Sequence, residues 1–344
     1  MKRQLAAWQL IHNSLLQNVP VMLLYVLESK GSSPGRQGFF MVVNSNGAME
    51  GSIGGGIMEH KFVEMAKEKL QATSDKLQVS SIKKQVHDKS AAKNQSGMIC
   101  SGEQTNFLYR MQEDDLAAIN DLVASLEQNS NGLLELSPAG FSFQKDVIPQ
   151  KNFQFVFESE DNWVYKEKTG YKNFLYIVGG GHCSLALSRI ISMMDFYIHL
   201  IDDRKNLNTF EENSYVHQKT TVHDYNELNK IIFPGEHQYV IVMTFGYRSD
   251  DTAIRTLLNK DFAFLGLLGS ASKIKKMFAG YYKEGIPVAQ LQKIHAPVGL
   301  PVNSQTPEEI AISIAAQIIL IKNQKEKPGD QFSPLSEALY SGKL

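Results

Sequence analysis

FLYIVGGGHCSLALSRIISMMDFYIHLIDDR, residues 174–204, decides the fold. A short aromatic and branched run ends in three glycines, a segment with helical spacing follows, and a second apolar run closes on two aspartates. In a strand–turn–helix that cradles a pyrophosphate, the first glycine permits the tight bend and the second lets the backbone approach the phosphates. The third lets helix pack on strand. Gly179 and Gly181 take the first two places, and Ser184, small enough for close packing, takes the third. Asp202 and Asp203 end the next strand at about the 20-residue separation where an acid meets a ribose hydroxyl, and two adjacent carboxylates disfavour a 2′-phosphate. His182 and Cys183 are neighbours, a spacing that suits a shared metal poorly. Cys183 reads as a packing residue, whereas His182 either shields the turn or donates to a ligand phosphate.

Downstream, the pattern repeats. YVIVM (239–243), a helix near 250–259 and FAFLGLL (262–268) alternate, and near-continuous apolar strands separated by helices mean a parallel sheet covered on both faces. Thr306, Pro307 and Glu309 form the start signal of a late helix with the body IAISIAAQIILI. Upstream the signals differ. Residues 3–17 carry apolar positions at helical spacing, VMLLYVLES (21–29) reads as a strand, and FFMVV and AMEGSI form a hairpin about Asn46-Gly47. Gly54-Gly55-Gly56 then leads into a helix whose buried stripe is expected at Ile57, Phe62 or His60, Met65 and Leu70. TNFLYRM (105–111) is a further strand, and 114–128 a further helix.

The fold class expected is therefore α/β: a C-terminal Rossmann-like parallel-sheet domain plus a smaller N-terminal α+β domain. The boundaries read 1–112 for the first domain, 113–171 for a connecting segment, 172–325 for the second domain and 326–344 for a tail. A length of 344 residues favours two cores over one. With 43% hydrophobic and 21% charged residues and a formal charge of −1, the chain offers no long-range field for nucleic acid or anionic lipid, which leaves small ligands. Two cysteines far apart give no disulfide framework and fit a reducing cytoplasm. The first residues lack an unbroken signal-peptide core, and no apolar run is long enough to span a membrane.

Several motifs, taken in order, resemble the XdhC/CoxI family, accessory factors for molybdenum hydroxylases such as xanthine dehydrogenase. They are GSSPGRQGFFMVV (31–43), GSIGGGIMEH (51–60), GMIC (97–100), VGGGHCSLAL (178–187), IDDR (201–204), GLLGSASK (266–273), and APVGL (296–300) with TPEEIAISIAAQI (306–318). The resemblance implies a protein that binds the molybdenum cofactor, as molybdopterin or its dinucleotide form, protects it and delivers it to the apo-enzyme. It implies as partners the hydroxylase and a cysteine desulfurase. The chain departs from the family pattern at Phe245, where a histidine is usual after Thr244, and at Ile57, where cysteine is frequent.

Against that background the candidate cofactor-binding residues fall into two groups. Gly54, Gly55 and Gly56 before a helix would offer backbone N–H groups to a phosphate. Glu59 is placed to meet a pterin donor or simply to sit near the helix N-terminus, and Ser32, Ser33 and Arg36 occupy a loop suited to an anion or to a plain turn. The thiol of Cys100 stands in a loop of small residues, where a thiolate would contact molybdenum or carry sulfur. In the second domain Gly179, Gly181, His182, Asp202 and Asp203 are joined by Gly269, Ser270 and Lys273, which follow a strand end and face the same crevice if the sheet is parallel.

The competing reading is an NAD-dependent oxidoreductase using the 174–204 turn, but no acid or base is placed for hydride chemistry, and the catalytic residues stay unassigned. The hydroxylase itself is excluded for these residues, since its two iron–sulfur clusters require about four thiolates each and two cysteines are present. The apolar hairpin and helix of the first domain suggest a homodimer.

Overall fold

The computed structural model describes residues 2–72, 79–86 and 102–326. The chain divides into two compact units, 1–171 and 172–344.

Unit 1 runs α1 (Lys2–Leu16), β1 (Val21–Gly31), β2 (Phe40–Asn44), β3 (Met49–Gly51), α2 (Gly56–Gln71), β4 (Ser80–Val86), β5 (Gly102–Arg110), α3 (Leu116–Glu127), β6 (Gly132–Ser137), β7 (Gly140–Lys145), β8 (Phe153–Ser159) and β9 (Asn162–Lys168). β1 lies at the centre of an antiparallel five-stranded sheet of order β3-β2-β1-β5-β4. Its period of two explains the unbroken apolar run. Val21, Leu23, Tyr25 and Leu27 enter a core shared with α1, α3 and β9, whereas Met22, Leu24 and Val26 enter a second core with α2.

The buried face of α2 is Met58, Phe62, Val63, Ala66 and Leu70, and Ile57 and His60 are exposed. This corrects the expected stripe. At 3.6 residues per turn, positions 57 and 62 stand about 140° apart on the helix, while 58, 62 and 66 are separated by steps of about 40°.

Residues 113–171 do not form a connector. They supply α3 and a second antiparallel sheet of order β7-β6-β9-β8, whose buried aromatics complete the core of unit 1. The two sheets are joined by Glu167, buried on β9, which accepts hydrogen bonds from Tyr25 (2.6 Å) and Tyr165 (2.5 Å). Burial first, and the Glu167 charge second, push the Tyr25 hydroxyl well above its ordinary pKa.

Unit 2 runs β10 (Asn173–Val178), α4 (His182–Ile191), β11 (Phe196–Asp202), α5 (Asn208–Glu211), β12 (Gln218–Thr221), α6 (Leu228–Ile231), β13 (Gly235–Val242), α7 (Tyr247–Leu257), β14 (Phe262–Leu267), α8 (Ala271–Lys283), α9 (Val288–Leu291), β15 (Ile294–His295) and α10 (Pro307–Glu326). The six strands are parallel in the order β12-β11-β10-β13-β14-β15. Taken in sequence this is the 3-2-1-4-5-6 arrangement of a Rossmann sheet, whose direction of winding reverses beside the first strand. Alternate residues divide between two layers: Leu175, Ile177 and Ile241 pack with α4 and α10, and Val178, Val240 and Val242 pack with α7 and α8.

The expected start of α10 is present as a reciprocal capping box. Glu309 N donates to Thr306 Oγ1, and Thr306 N donates to Glu309 Oε2, each at 3.2 Å. The residues expected as a tail lie, after Glu326, outside the described residues. Among the described residues no helix is long and apolar enough to cross a membrane.

Candidate functional site

In unit 1 the structure brings Ser33, Gly54, Gly55, Gly56 and Glu59 together. The three glycines have φ of +126°, +74° and +69°, a left-handed run closed to ordinary side chains. Gly54 is also required by space, because a Cβ there would lie 2.4 Å from Gly35 N, whereas Cβ atoms at Gly55 and Gly56 would meet nothing within 4 Å. The turn therefore opens outward at its last two residues.

Of the two places expected for Glu59, the structure shows the one at the helix N-terminus. Its Oε2 accepts from Ser52 Oγ (2.6 Å), Ile53 N (2.8 Å) and Gly55 N (3.0 Å), so the chain's own carboxylate occupies the start of α2, where the helix dipole favours negative charge. The Gly55 N–H assigned to a phosphate is already engaged.

The loop at 32–36 is held against this turn by Gln104, a fully buried residue on β5. Its Oε1 accepts from Ser33 Oγ (2.8 Å) and Gly35 N (3.2 Å), while its Nε2 donates to Ile53 O (3.1 Å) and Asn106 Oδ1 (2.7 Å). The Asn106 Nδ2, also buried, has no hydrogen-bond partner among the described residues. Neither amide stands out in the sequence. The available signal is the pair of amide residues two positions apart in the strand GEQTNFLYR, which must share a face. Arg36 is exposed and donates to Gly31 O at 3.1 Å, and Ser32 is exposed. Cys100 lies outside the described residues.

In unit 2 Gly179, Gly181, His182, Asp202 and Asp203 surround one turn at the carboxyl end of β10. Gly179 has φ +110°, and a Cβ there would lie 2.3 Å from Met243 O, just past the adjoining strand β13. Ser184 donates its hydroxyl to Gly179 O and is buried, as its place in the glycine pattern requires. Gly181 has φ −74°, caps α4 and has open space where a Cβ would stand. His182 is exposed at the first position of the helix, beside that space. Cys183 packs partly buried against the hydrophobic layer, and burial, followed by the charge of Glu308, pushes its thiol pKa up, away from thiolate chemistry.

The two aspartates have separate roles. Asp202 is fully buried: Oδ2 accepts from Gly180 N (2.6 Å) and Arg204 Nη2 (2.7 Å), and Oδ1 from Arg204 N (2.8 Å) and Nε (2.9 Å). Burial alone would raise its pKa, but the Arg204 and Gly180 hydrogen bonds outweigh it and hold the carboxyl below the ordinary value. Asp202 therefore shapes the turn and has its acceptors taken. Asp203 is the exposed acid, with Oδ1 accepting from Tyr225 OH at 3.0 Å.

Gly269, Ser270 and Lys273 stand at the next strand but one. Ser270 caps α8 by accepting from Lys273 N (3.3 Å), and the Lys273 ammonium is paired with Asp250, a fully buried residue of α7. Asp250 Oδ1 in turn accepts from Thr244 N (2.9 Å) and Oγ1 (2.6 Å), just past β13. Lys273, expected at a phosphate, thus serves an internal carboxylate that fixes the loop beside the glycine turn. Asp250 gives no sign of this role in the sequence, because its partner is 23 residues away and contact at that range leaves no local pattern. Phe245 follows Thr244; it is 87% exposed, with its ring centroid 5.6 Å from the Arg204 guanidinium carbon. Among the described residues no cluster of His, Cys, Asp and Glu is arranged to hold a metal ion.

Residues 175–318 match the XdhC Rossmann domain, and residues 14–80 match the XdhC and CoxI family. Among curated proteins, YqeB of Escherichia coli strain K12, described as uncharacterized, is 23% identical over 310 residues, covering 89% of this chain and 44% of its own length. The chain thus spans less than half of that relative. A Bacillus subtilis strain 168 protein, named as a probable xanthine dehydrogenase subunit, is 23% identical over 317 residues, covering 87% of this chain and 92% of its own length. A crystal structure described as a xanthine dehydrogenase from Bacillus halodurans superposes with a TM-score of 0.67 at 20% identity, over 95% of this chain and 99% of that one. At that identity it shows the same fold.

Proposed function

Since the chain belongs to the XdhC and CoxI family, we propose that it is an accessory factor that binds the molybdenum cofactor and helps protect and insert it into a molybdenum hydroxylase of the xanthine dehydrogenase type. The observation that carries this reading is the glycine turn of unit 2. It has the Rossmann strand order and an open space at Gly181, with the charge pairs Asp202–Arg204 and Asp250–Lys273 fixed around it and His182 and Asp203 exposed beside it. That is equipment for holding a phosphorylated guest. The name of the Bacillus subtilis relative supports a xanthine dehydrogenase as the client.

The residues present fit such a guest in each unit taken separately. In unit 1, the space outside Gly55 and Gly56 is open, and Arg36 is an exposed cation of the 32–36 loop that packs against Gly54. In unit 2, Gly181 and the start of α4 suit a phosphate. The cofactor supplies the redox centre of the hydroxylase that receives it. The part of this chain is to bind, orient and exclude water.

The test is to purify the protein from a host that makes molybdopterin, denature it, and measure released pterin by fluorescence together with molybdenum. Pterin close to one equivalent per chain is the expected result. Tight NADH binding with substrate-dependent turnover and no pterin would replace this reading with an NAD-dependent oxidoreductase, which the strand order alone favours. Cys100→Ala tests the sulfur role: full activation of the client by the variant would reduce that thiol to packing.

A further inference from the structure

Most edges of the described sheets are closed to further strands. β3, β12 and β15 have three, four and two residues, while β4 carries Lys83 and Lys84 at its middle and β7 ends in Lys145. Short strands and strands fringed with ammonium groups are poor templates for pairing. β8, the edge beside β9, has neither protection. FQFVFES (153–159) runs for seven residues without lysine or proline, and Gln154, Val156, Phe157, Glu158 and Ser159 are exposed.

The backbone of β8 is directed to match. Lys168 N donates to Asn152 O (3.0 Å) and continues the register Gln154–Lys166 and Val156–Val164, so Asn152, Gln154 and Val156 turn their N–H and C=O groups to β9. By the same alternation Phe155 and Phe157 turn theirs outward, where no strand lies among the described residues. The side chains add an apolar row. Phe155 packs against the core, with its ring centroid 6.3 Å from Trp163 and 6.2 Å from Phe157, but Phe157 is 50% exposed, so the row runs past the end of the core. A bulge at Glu158 ends the regular pairing.

We propose that β8 pairs with β8 of a second copy of this chain, antiparallel about a two-fold axis at Phe155, so that two four-stranded sheets become one. The occupant is a second copy because the strand complements itself. That axis sets Phe155 opposite its own copy, each exchanging N–H and C=O, and sets Gln154 opposite Val156. It leaves both bulges outside the ladder of residues 153–157, whereas an axis at Val156 would draw Glu158 into it. The charges agree: Lys151, exposed just before the strand, comes to the acidic end of the other copy, where Glu158 and Glu160 are exposed. The interface so assigned lies on the second sheet of unit 1, not on the hairpin and helix from which the sequence suggested a homodimer, and it is independent of the cofactor reading.

The test follows the full chain by sedimentation equilibrium from about 1 to 200 μM, the range in which a small interface assembles. A concentration-dependent dimer is expected. Phe157→Lys should weaken it about tenfold or more, and because that side chain is half in water the variant should keep the wild-type unfolding midpoint, measured alongside. Register is read independently by cross-linking in a chain with Cys100→Ser and Cys183→Ser. Side chains directly opposite stand about 5 Å apart and diagonal ones about 7–8 Å, and only the former are within reach of a disulfide. Gln154→Cys chains mixed with Val156→Cys chains should therefore cross-link under oxidation, and neither variant should cross-link by itself. A chain that stays monomeric across the range, a dimer untouched by Phe157→Lys, or Val156→Cys joining its own kind as readily as Gln154→Cys would each overturn the proposal.

Discussion

The two glycine turns look alike in sequence, GGG before a helix in each, and they differ in what the glycines do. At 54–56 all three adopt left-handed φ, and the helix start beyond them is occupied by the chain's own Glu59. At 179–181 only Gly179 has positive φ, and its absent side chain makes room for the carbonyl of Met243, while Gly181 stands in an ordinary conformation facing open space. Each turn also has a resident carboxylate on one backbone N–H: Glu59 on Gly55 and Asp202 on Gly180. An acid near a glycine turn is therefore as ready to complete the turn as to meet a ligand, and the count of hydrogen bonds it already accepts tells the two cases apart.

The largest effect expected from pressing this contrast is at Gly179. Gly179→Ala combines a disfavoured φ with a collision against backbone, and should cost about 3–5 kcal/mol in urea unfolding of the full chain. A cost below about 1 kcal/mol would mean that the strand ends can part and that close approach is not the reason for this glycine.

Next is Asp202→Ala, which leaves Gly180 N and a third-exposed Arg204 without their acceptor. A loss of about 3 kcal/mol is expected, at the low end for a broken buried pair because Arg204 keeps solvent contact. The pH dependence has a definite sign. The folded carboxyl titrates below its ordinary value, so its contribution is complete above the unfolded-state pKa of about 3.9 and is lost as pH falls through the depressed folded value. Unfolding midpoints followed from pH 6 into that acid range should fall less steeply in Asp202→Asn than in wild type; parallel curves would contradict the assignment.

Glu59→Ala should cost about 1–2 kcal/mol, the range for loss of a helix N-terminal acceptor, since Ser52 Oγ, Ile53 N and Gly55 N all lose their partner. If unfolding is unchanged, water or a ligand anion substitutes for the carboxylate, and the first turn is closer to an anion site than its geometry suggests.

The smallest effect on stability belongs to Gly181. Gly181→Ala is expected to change stability by less than about 0.5 kcal/mol, because φ is ordinary and the space is free. Gly181→Val should fold equally well and obstruct the crevice, so its test is ligand affinity. Unchanged affinity would put the guest elsewhere.

Legibility of the site divides along the same line. Most of the residues gathered in each unit are those the motifs name, but Glu59, Asp202 and Lys273 prove to be engaged by groups of the chain itself. Gln104, Asn106 and Asp250 give no signal of their own, and Phe245 reads only as a departure from the family pattern, with no hint of its contact to Arg204. Gln104 acts on Ser33 across 71 positions and Asp250 on Lys273 across 23. A hydrogen bond at such range is invisible to any window a few residues wide.

What the amino-acid sequence determined on its own is the Rossmann half: strands buried on both faces, helices capped by their own neighbours as at Thr306 and Glu309, and a bend at Gly179 that only glycine can make. Each of these is enforced within a turn or a strand, so it is written locally. Tertiary structure alone decided that residues 113–171 complete the core of unit 1, which carboxylates are already satisfied, and that Arg204 and Phe245 meet across the end of β10. Those outcomes depend on which distant surfaces exclude water together, and burial fixes hydrogen-bond partners only after the chain has brought them into contact.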